Sequence, residues 1–419
     1  MSPKQDTVGC QEGYLRTLKK EQCFGCEACK QVCPVEAIEF KEDEEGFRYP
    51  VINNLKCIQC GKCHRVCPYE TMPCENKGKK YVFGGYARNQ NIRAQSTSGG
   101  AFSVIADAWC DKNYVIFGAA VDGLKVYHSY ITDKNEIARF RKSKYSQSII
   151  GTSYKDTKQF LQEGKKVLFS GTPCHIAGLR AFLKDIDTTN LLTIEVICEG
   201  VPSPLYIRKY NEYMVERYKS PIKKLDYRYK NMEKLEKPIW GKWDFEVMYT
   251  LLQNGKEMKK DRWFNPFWFL WLNHLMSRPS CYKCPFAKEG RVADISLGDL
   301  WGVHLYCPEL YGRNGGSSLI ICNTDKGKYA MQKAAEDMYG HELDFATAKK
   351  YQSPMRKPIA ENEQRFNFMQ DLQGDMGYKK LNQKWAKHPT IKLLYQKYIW
   401  GNRQKIALWS LINKKRNIF

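Results

Sequence analysis

The sequence predicts a multidomain protein of mixed α+β and α/β class. A small cysteine-rich N-terminal module should precede a mixed α/β core, and a helical, basic C-terminal region should close the chain. Three observations carry this reading. Two cysteine motifs of identical spacing lie within Cys23–Pro68, buried-type strand runs alternate with amphipathic helices as far as Asp325, and beyond it the motifs stop. The corresponding domains are residues 1–75, residues 80–160 and 161–325 as two parts of the core, and residues 326–419.

The chain has 419 residues, of which 43% are hydrophobic, enough for a substantial core. Met1–Lys20 is polar and charged, with no apolar stretch of the kind that marks a secretory signal. The most apolar aromatic segment, Trp263–Leu275, is too short to span a bilayer. These features set the expectation of a cytoplasmic protein. In that compartment 17 cysteines point to metal or redox chemistry rather than disulfides.

The N-terminal module is the strongest signal. Cys23, Cys26, Cys29 and Cys33 follow the spacing C-x2-C-x2-C-x3-C with Pro34 after it; Cys57, Cys60, Cys63 and Cys67, followed by Pro68, repeat it. Three cysteines so spaced wrap one cuboidal cluster while the fourth reaches across to the other. Cys23, Cys26, Cys29 and Cys67 would therefore hold one [4Fe–4S] cluster; Cys57, Cys60, Cys63 and Cys33 would hold the second. Residues 20–70 resemble the bacterial two-cluster ferredoxin. Paired zinc sites are the alternative, but these lack the third close cysteine and the closing Cys-Pro. The acidic run Lys41–Glu45 reads as a solvated turn and His64 as exposed, since cysteines already fill the ligand set. Asn76–Lys80 reads as a linker.

The core opens with Tyr81–Phe83, a strand, and then Gln95–Gly100 before a helix on which Phe102, Ile105, Ala106 and Trp109 share one face. The free N–H groups and dipole of a helix start favour an anion, although Ser and Thr also cap ordinary helices. Tyr114–Phe117, Lys165–Ser170 and Leu191–Cys198 read as strands. Cys174 follows the turn Gly171-Thr172-Pro173 before a helix from His175, and Cys198 ends the third strand. Ligands gather at the carboxyl ends of such strands. Far along the chain, "RPSCYKCPF" supplies Cys281 and Cys284, half of a tetrahedral site. Cys174, Cys198, Cys281 and Cys284 would then bind a third [4Fe–4S] cluster. The alternatives are ordinary buried cysteines at Cys174 and Cys198, with Cys281 and Cys284 free or on zinc.

"STSGGAFS" (96–103), "KSKYSQS" (142–148), "FSGTPCHIAGL" (169–179), "ICEGVPSP" (197–204), "SCYKCPF" (280–286) and "ADISLGDLWG" (293–302) occur in this order. Together they resemble the coenzyme F420 hydrogenase/dehydrogenase beta-subunit family, here behind a two-cluster ferredoxin, over roughly residues 20–310. The resemblance implies an FAD-binding iron–sulfur oxidoreductase with the third cluster beside the flavin. It places Thr97, Ser98, Gly99 and Gly100 against FAD, with Gly171, Thr172 and Pro173 lining the same site. Lys144 would set a positive charge beside flavin or substrate, a catalytic and cofactor-binding role; a solvated lysine is the plain alternative. Where many members carry glutamine this chain has His175, which could donate a proton or merely cap its helix. Asp299 and Trp301 could face the site, or be a strand-end carboxylate and a core aromatic.

Alternation up to Gln253 followed by Asn254-Gly255 predicts a hairpin. Trp263–Leu275 reads as core. Thr390–Phe419 reads as a basic amphipathic helix that docks on the fold, forms a homo-oligomer contact or touches a membrane surface. Cys10, Cys74, Cys110, Cys307 and Cys322 read as free thiols. The formal charge of +22 would drop by roughly six with three clusters of about −2 each. A basic surface would remain, suited to an acidic redox protein (ferredoxin or flavodoxin) or a small anionic substrate. The leading expectation is a flavoenzyme passing electrons from a ferredoxin-type donor through clusters to FAD and an organic acceptor. The alternative is one component of a larger hydrogenase or dehydrogenase complex exchanging hydride with F420. A nucleic-acid-binding iron–sulfur protein has no motif in its favour, so no nucleic acid is expected.

Overall fold

The computed structural model describes residues 12–73, 75–76, 78–230, 247–310, 315–386 and 390–400, together with residues 404, 408 and 412. Cys10, Cys74 and most of the basic C-terminal stretch lie outside the described residues.

The internal repeat of the N-terminal module is a repeat of backbone conformation. Gly25 and Glu27 take positive φ (70° and 58°), and the equivalent Gln59 and Gly61 do the same (53° and 68°). Non-glycine residues rarely adopt this region. Its recurrence at matching positions shows that both loops are held to one shape, curled so that successive N–H groups can face a common centre. Between the loops, β1 (Ile38–Glu42) and β2 (Arg48–Ile52) form an antiparallel hairpin with Ile38 opposite Ile52. The intervening acidic turn is less solvated than the sequence suggests. Glu45 receives both guanidinium nitrogens of Arg365, at 3.0 and 2.5 Å, in a half-buried bidentate pair.

The core is one eight-stranded mixed sheet. Its strands are β3 (Tyr81–Ala87), β4 (Tyr114–Asp122), β5 (Lys125–Ile131), β6 (Lys166–Gly171), β7 (Leu191–Val196), β11 (Ile295–Asp299), β12 (Ser318–Cys322) and β13 (Met338–Glu342). They lie in the order β13-β3-β12-β11-β7-β6-β4-β5. The centre from β4 through β6 and β7 to β11 is parallel, while β5, β12, β3 and β13 pair antiparallel. Both faces of the centre are covered, so its strands read as unbroken apolar runs. Val115, Phe117, Val167 and Phe169 point to one layer, which includes Tyr154, Ile176 and Leu179. Their neighbours Ile116, Leu168 and Leu192 point to the other, formed by the helices Ala101–Trp109 and Asp325–Ala334. The parts 80–160 and 161–325 thus share one sheet. The edge strand β13 comes from the region expected to be helical, because the exposed end of β3 offers a free ladder that Met338–Glu342 completes.

The N-terminal module is built into this core. Phe24, Cys26, Ala28 and Val66 belong to the same apolar cluster as Phe169 and Ile176. Gln31 Oε1 accepts from the amides of Tyr154 and Lys155 at 2.9 and 3.2 Å, at the start of the helix Ser153–Gln162. Glu27, 2% exposed, pairs with Arg48 at 2.8 Å and accepts from Gly151 N. A tethered module would not bury such groups.

A second, three-stranded antiparallel sheet is made of β8 (Ile222–Tyr229), β9 (Val247–Leu252) and β10 (Glu257–Asp261). Gly255, at φ 85°, turns the predicted hairpin between the last two. It packs with the helices Pro204–Tyr218, Pro266–Leu272, Arg365–Gln373 and Tyr378–Trp385 around Phe267, Trp268, Trp271 and Phe368. The helix Ile391–Tyr398 leaves Ile391, Leu394 and Tyr395 exposed. Among the described residues no helix is long and apolar enough to cross a membrane.

Candidate metal centres and the adjoining cavity

Three groups of cysteines run from the surface towards the middle of the molecule. Cys60 is exposed and Cys57, Cys63 and Cys33 are half-buried. Burial pushes the Cys63 thiol up, and its neighbours Cys57 and Cys60 add to this. Cys33 Sγ accepts from Ala37 N at 3.2 Å. The next group is deeper. Cys23 and Cys26 are 9% and 8% exposed. Burial drives the Cys26 thiol far up, with Cys67, Cys23 and also Cys174 contributing. Cys29 is raised by burial and by Cys26, Cys23, Cys67 and Cys63. Burial takes Cys67 to about 11, against the N–H groups of Glu70 and Tyr69 that face its sulfur. Cys67 thus lies near the first three cysteines.

The structure also brings the scattered cysteines together. Pro173 starts the helix Pro173–Phe182, and Cys174 sits in its first turn rather than in the turn before it. Cys198 follows the end of β7. The chain after it is stitched to the "RPSC" segment by Ser203 N to Met276 O (2.7 Å) and Arg278 N to Val201 O (2.9 Å), with Pro202 bridged to Ser277. That pairing delivers Cys281 and Cys284 beside Cys198. Burial lifts the Cys198 thiol far above its usual range, with Cys281 and Cys174 adding to it. Burial, with Cys284, takes Cys281 to about 12. Burial takes Cys174 to about 11 despite a 3.1 Å contact with Thr172 Oγ1. Four thiols this close and this dry are poor acids alone. They suit a site where a soft metal replaces their protons. Backbone N–H groups of Gly200, Val201, Phe286 and Ala287 aim at three of these sulfurs, as iron–sulfur ligands require.

Beyond this third group lies a cavity of about 620 Å³. Thr97, Ser98, Gly100, Lys144, Gly171, Thr172 and His175 all line it, with Cys174 and Cys198 in its wall. Gly99 is turned into the sheet instead. Its N–H donates to Ser318 Oγ at 2.9 Å, and a Cβ there would meet Gly85 O at 2.5 Å. Pro173 is buried at its helix start. Ser98 Oγ is already committed to Ser317 O, and Thr97 Oγ1 accepts from Ser143 N at 2.8 Å. The loop is therefore shaped before any ligand arrives, with Gly100 at φ 93° opening the nine-residue helix Ala101–Trp109. A more open depression of about 840 Å³, lined by Glu75, Lys80, Glu289 and Asp344, includes none of the cysteines.

The cavity is cationic on one side. Burial lowers Lys144 to about 7; Asp226 opposes this and Lys142 reinforces it. Lys144 Nζ donates to Arg141 O at 2.7 Å. Arg228, from β8, pairs with Asp299, and Lys142 pairs with Asp226. The other side holds two buried imidazoles in edge contact, centroids 5.2 Å apart. His128 Nε2–H donates to Ser170 O at 3.0 Å and its Nδ1 accepts from Ser148 Oγ at 2.8 Å. Burial drops its pKa to about 4. His175, 4% exposed, is held well below its usual range by burial and by His128. Among the described residues its buried Nδ1 has no partner, and the helix cap is Thr172, so capping does not account for it. Trp268 and Trp271, read as core, are core on one edge and cavity wall on the other; Trp301, 46% exposed, lies at the rim.

His128, Arg228 and the two tryptophans carried no sequence signal, because each reaches the cavity from a segment remote from the cysteine motifs. Cys307 is a free thiol, as expected, but not an isolated one. Its Sγ meets His341 Nε2 at 3.1 Å and Glu309 Oε1 at 3.3 Å.

Residues 164–346 match the model for the C terminus of the coenzyme F420 hydrogenase/dehydrogenase beta subunit. That stretch of the chain is similar to this family. It contains Cys174, Cys198, Cys281 and Cys284. Residues 22–71 match a 4Fe-4S dicluster domain, which contains both ferredoxin-type motifs. Among solved structures, a chain of the F420-reducing [NiFe] hydrogenase complex from Methanosarcina barkeri is similar at 15% identity and a TM-score of 0.39, over 73% of this chain and 91% of that one. No curated protein matches. The beta-subunit-like domain thus carries an iron–sulfur dicluster domain in front of it and is similar to an oxidoreductase family.

Proposed function

We propose that this chain is an iron–sulfur flavoprotein oxidoreductase that takes electrons from a ferredoxin-type donor and delivers them to an organic acceptor. The observation that carries the reading is the order of the cysteine groups: the most exposed lies in the dicluster module, the next has Cys23 and Cys26 buried, and the third forms part of the cavity wall. Cys26 lies in the buried cluster against which Cys174 and Cys284 pack, which supports contact between the second and third groups.

FAD fits the cavity on two counts. The unpartnered His175 Nδ1 offers a buried hydrogen-bonding atom to a ligand, and the Gly100 helix start with the cations Arg141, Lys142 and Lys144 suits an anionic phosphate chain. Flavin chemistry supplies the junction between one-electron centres and a two-electron acceptor. The protein's share is positioning. Trp268 and Trp271 give flat apolar walls, and Lys144 and Arg228 place positive charge. His128 and His175 are neutral at pH 7, so neither contributes charge there.

The family of residues 164–346 favours a second reading, exchange of hydride with coenzyme F420 within a larger complex. One anaerobic experiment separates the two. The purified chain is mixed with reduced ferredoxin or with reduced F420, and bleaching of its visible absorption is followed. Bleaching by ferredoxin alone supports the leading reading, bleaching by reduced F420 the second, and none by either sinks both. Affinity for an anionic acceptor should also fall as pH rises through about 7, since Lys144 is charged below that value and neutral above it.

A further inference from the structure

We infer that Arg278 is a fixed positive charge shared by the two inner cysteine groups and that it raises the electron affinity of both. This rests on the iron–sulfur reading of those groups given above.

Arg278 is 1% exposed. Its three hydrogen bonds all go to neutral oxygens: Nε to Cys23 O at 2.9 Å, an Nη to Gln147 Oε1 at 2.8 Å, and the other Nη to Arg48 O at 3.1 Å. Among the described residues no carboxylate lies within ion-pair distance. Two other buried arginines differ, since Arg291 is paired with Glu195 and Arg365 with Glu45. A guanidinium removed from water without an anion is costly. The fold keeps one here, 4.2 Å from the centre of the Tyr49 ring and 5.5 Å from that of Phe47.

Its surroundings supply the missing anion only if the cysteines are ligated. Through Cys23 it touches the group Cys23, Cys26, Cys29 and Cys67. Its own carbonyl accepts from Cys281 N at 2.9 Å, three residues along the chain, in the group Cys174, Cys198, Cys281 and Cys284. The two groups abut where Gly178, on the same helix as Cys174, leaves room for Cys26; a Cβ at 178 would lie 3.0 Å from Cys26 Sγ. A cysteine-ligated [4Fe–4S] centre carries about −2 and gains a further negative charge on reduction. A buried cation this close stabilises the reduced form at both centres. The exposed group Cys33, Cys57, Cys60 and Cys63 has no such contact with Arg278, so the inner pair should be the better electron acceptor and draw electrons inward.

The test is a potentiometric titration of the anaerobic holoprotein, followed by electron paramagnetic resonance. Two variants are compared: Arg278→Gln removes the charge, and Gln147→Glu sets a carboxylate against the guanidinium while leaving it in place. Each should make the inner centres harder to reduce, by about tenfold in the reduced-to-oxidised ratio at a fixed potential, or ~59 mV for a one-electron couple. Arg278→Lys should recover part of the shift, and the signal of the exposed centre should stay where it is. Unchanged inner potentials in Gln147→Glu with full iron content would overturn the role of Arg278, even if Arg278→Gln cannot hold its iron. A wild-type protein with iron for only two centres would instead overturn the iron–sulfur reading on which the inference stands.

Discussion

Replacing Cys281 with Ser should cost the protein its third centre and leave the other two. Iron should fall from about twelve to about eight per chain. Serine is a harder ligand with a far higher pKa, and it seldom holds iron where a thiolate did. The surroundings sharpen the effect. Cys281 is raised to about 12 by burial and by Cys284, so its environment resists any anion that metal does not neutralise. On the expected assignment neither of the first two groups draws a ligand from Cys281, and the module is also held to the core through Gln31 and Glu27. Dithionite should therefore still reduce the dicluster module. Transfer to an acceptor in the cavity should slow by orders of magnitude. Full iron content and normal turnover in Cys281→Ser would leave the "RPSCYKCPF" pair as a zinc half-site or plain thiols.

Arg291→Met should be the most destabilising single change among the buried ion pairs. Glu195, in β7, is 0% exposed, and Arg291 is 2% exposed. The guanidinium contacts the carboxylate through Nε and also donates to Phe286 O at 2.9 Å. Ser296 Oγ donates to the same carboxylate oxygen at 2.7 Å. Removing the arginine strands a buried carboxylate, a loss of about 3–5 kcal/mol, or roughly 5 °C in the midpoint of thermal unfolding. The pair itself need not be stabilising. Arg291→Met combined with Glu195→Leu should recover most of the loss, because an apolar pair of similar volume carries no desolvation cost. Equal midpoints for wild type and Arg291→Met would contradict this account of the buried pair.

The parts of the site legible in the sequence were those governed by local rules. The eight ferredoxin-type cysteines sit in two short repeats that share positive φ at two matching positions, so local spacing was enough to mark both loops. Cys174 and Cys198 were legible for a topological reason, since both follow parallel strands at the edge where ligands collect. Pairing them with Cys281 and Cys284 needed only the remaining half-site. What stayed hidden depends on contacts between distant segments. Arg228 enters the cavity from the small sheet, His128 from β5, and Trp268 and Trp271 from a helix whose aromatic spacing signals core equally well. The same holds for Arg278, which reads as an ordinary basic residue beside a cysteine pair. Only the folded chain shows it buried against Cys23 and Tyr49 without a carboxylate. Strand β13 was missed because an edge strand of five residues with a half-exposed pattern leaves no periodicity to detect.

The central claim is that three cysteine groups lead to a cofactor-holding cavity within one chain. It is tested most directly by anaerobic analysis of iron, sulfide and released flavin in the purified wild-type protein. Three occupied centres predict about twelve irons and about twelve sulfides per chain, with FAD released on denaturation. About eight irons and no flavin would contradict the account, leaving a dicluster module joined to a domain that holds neither the third centre nor the cofactor.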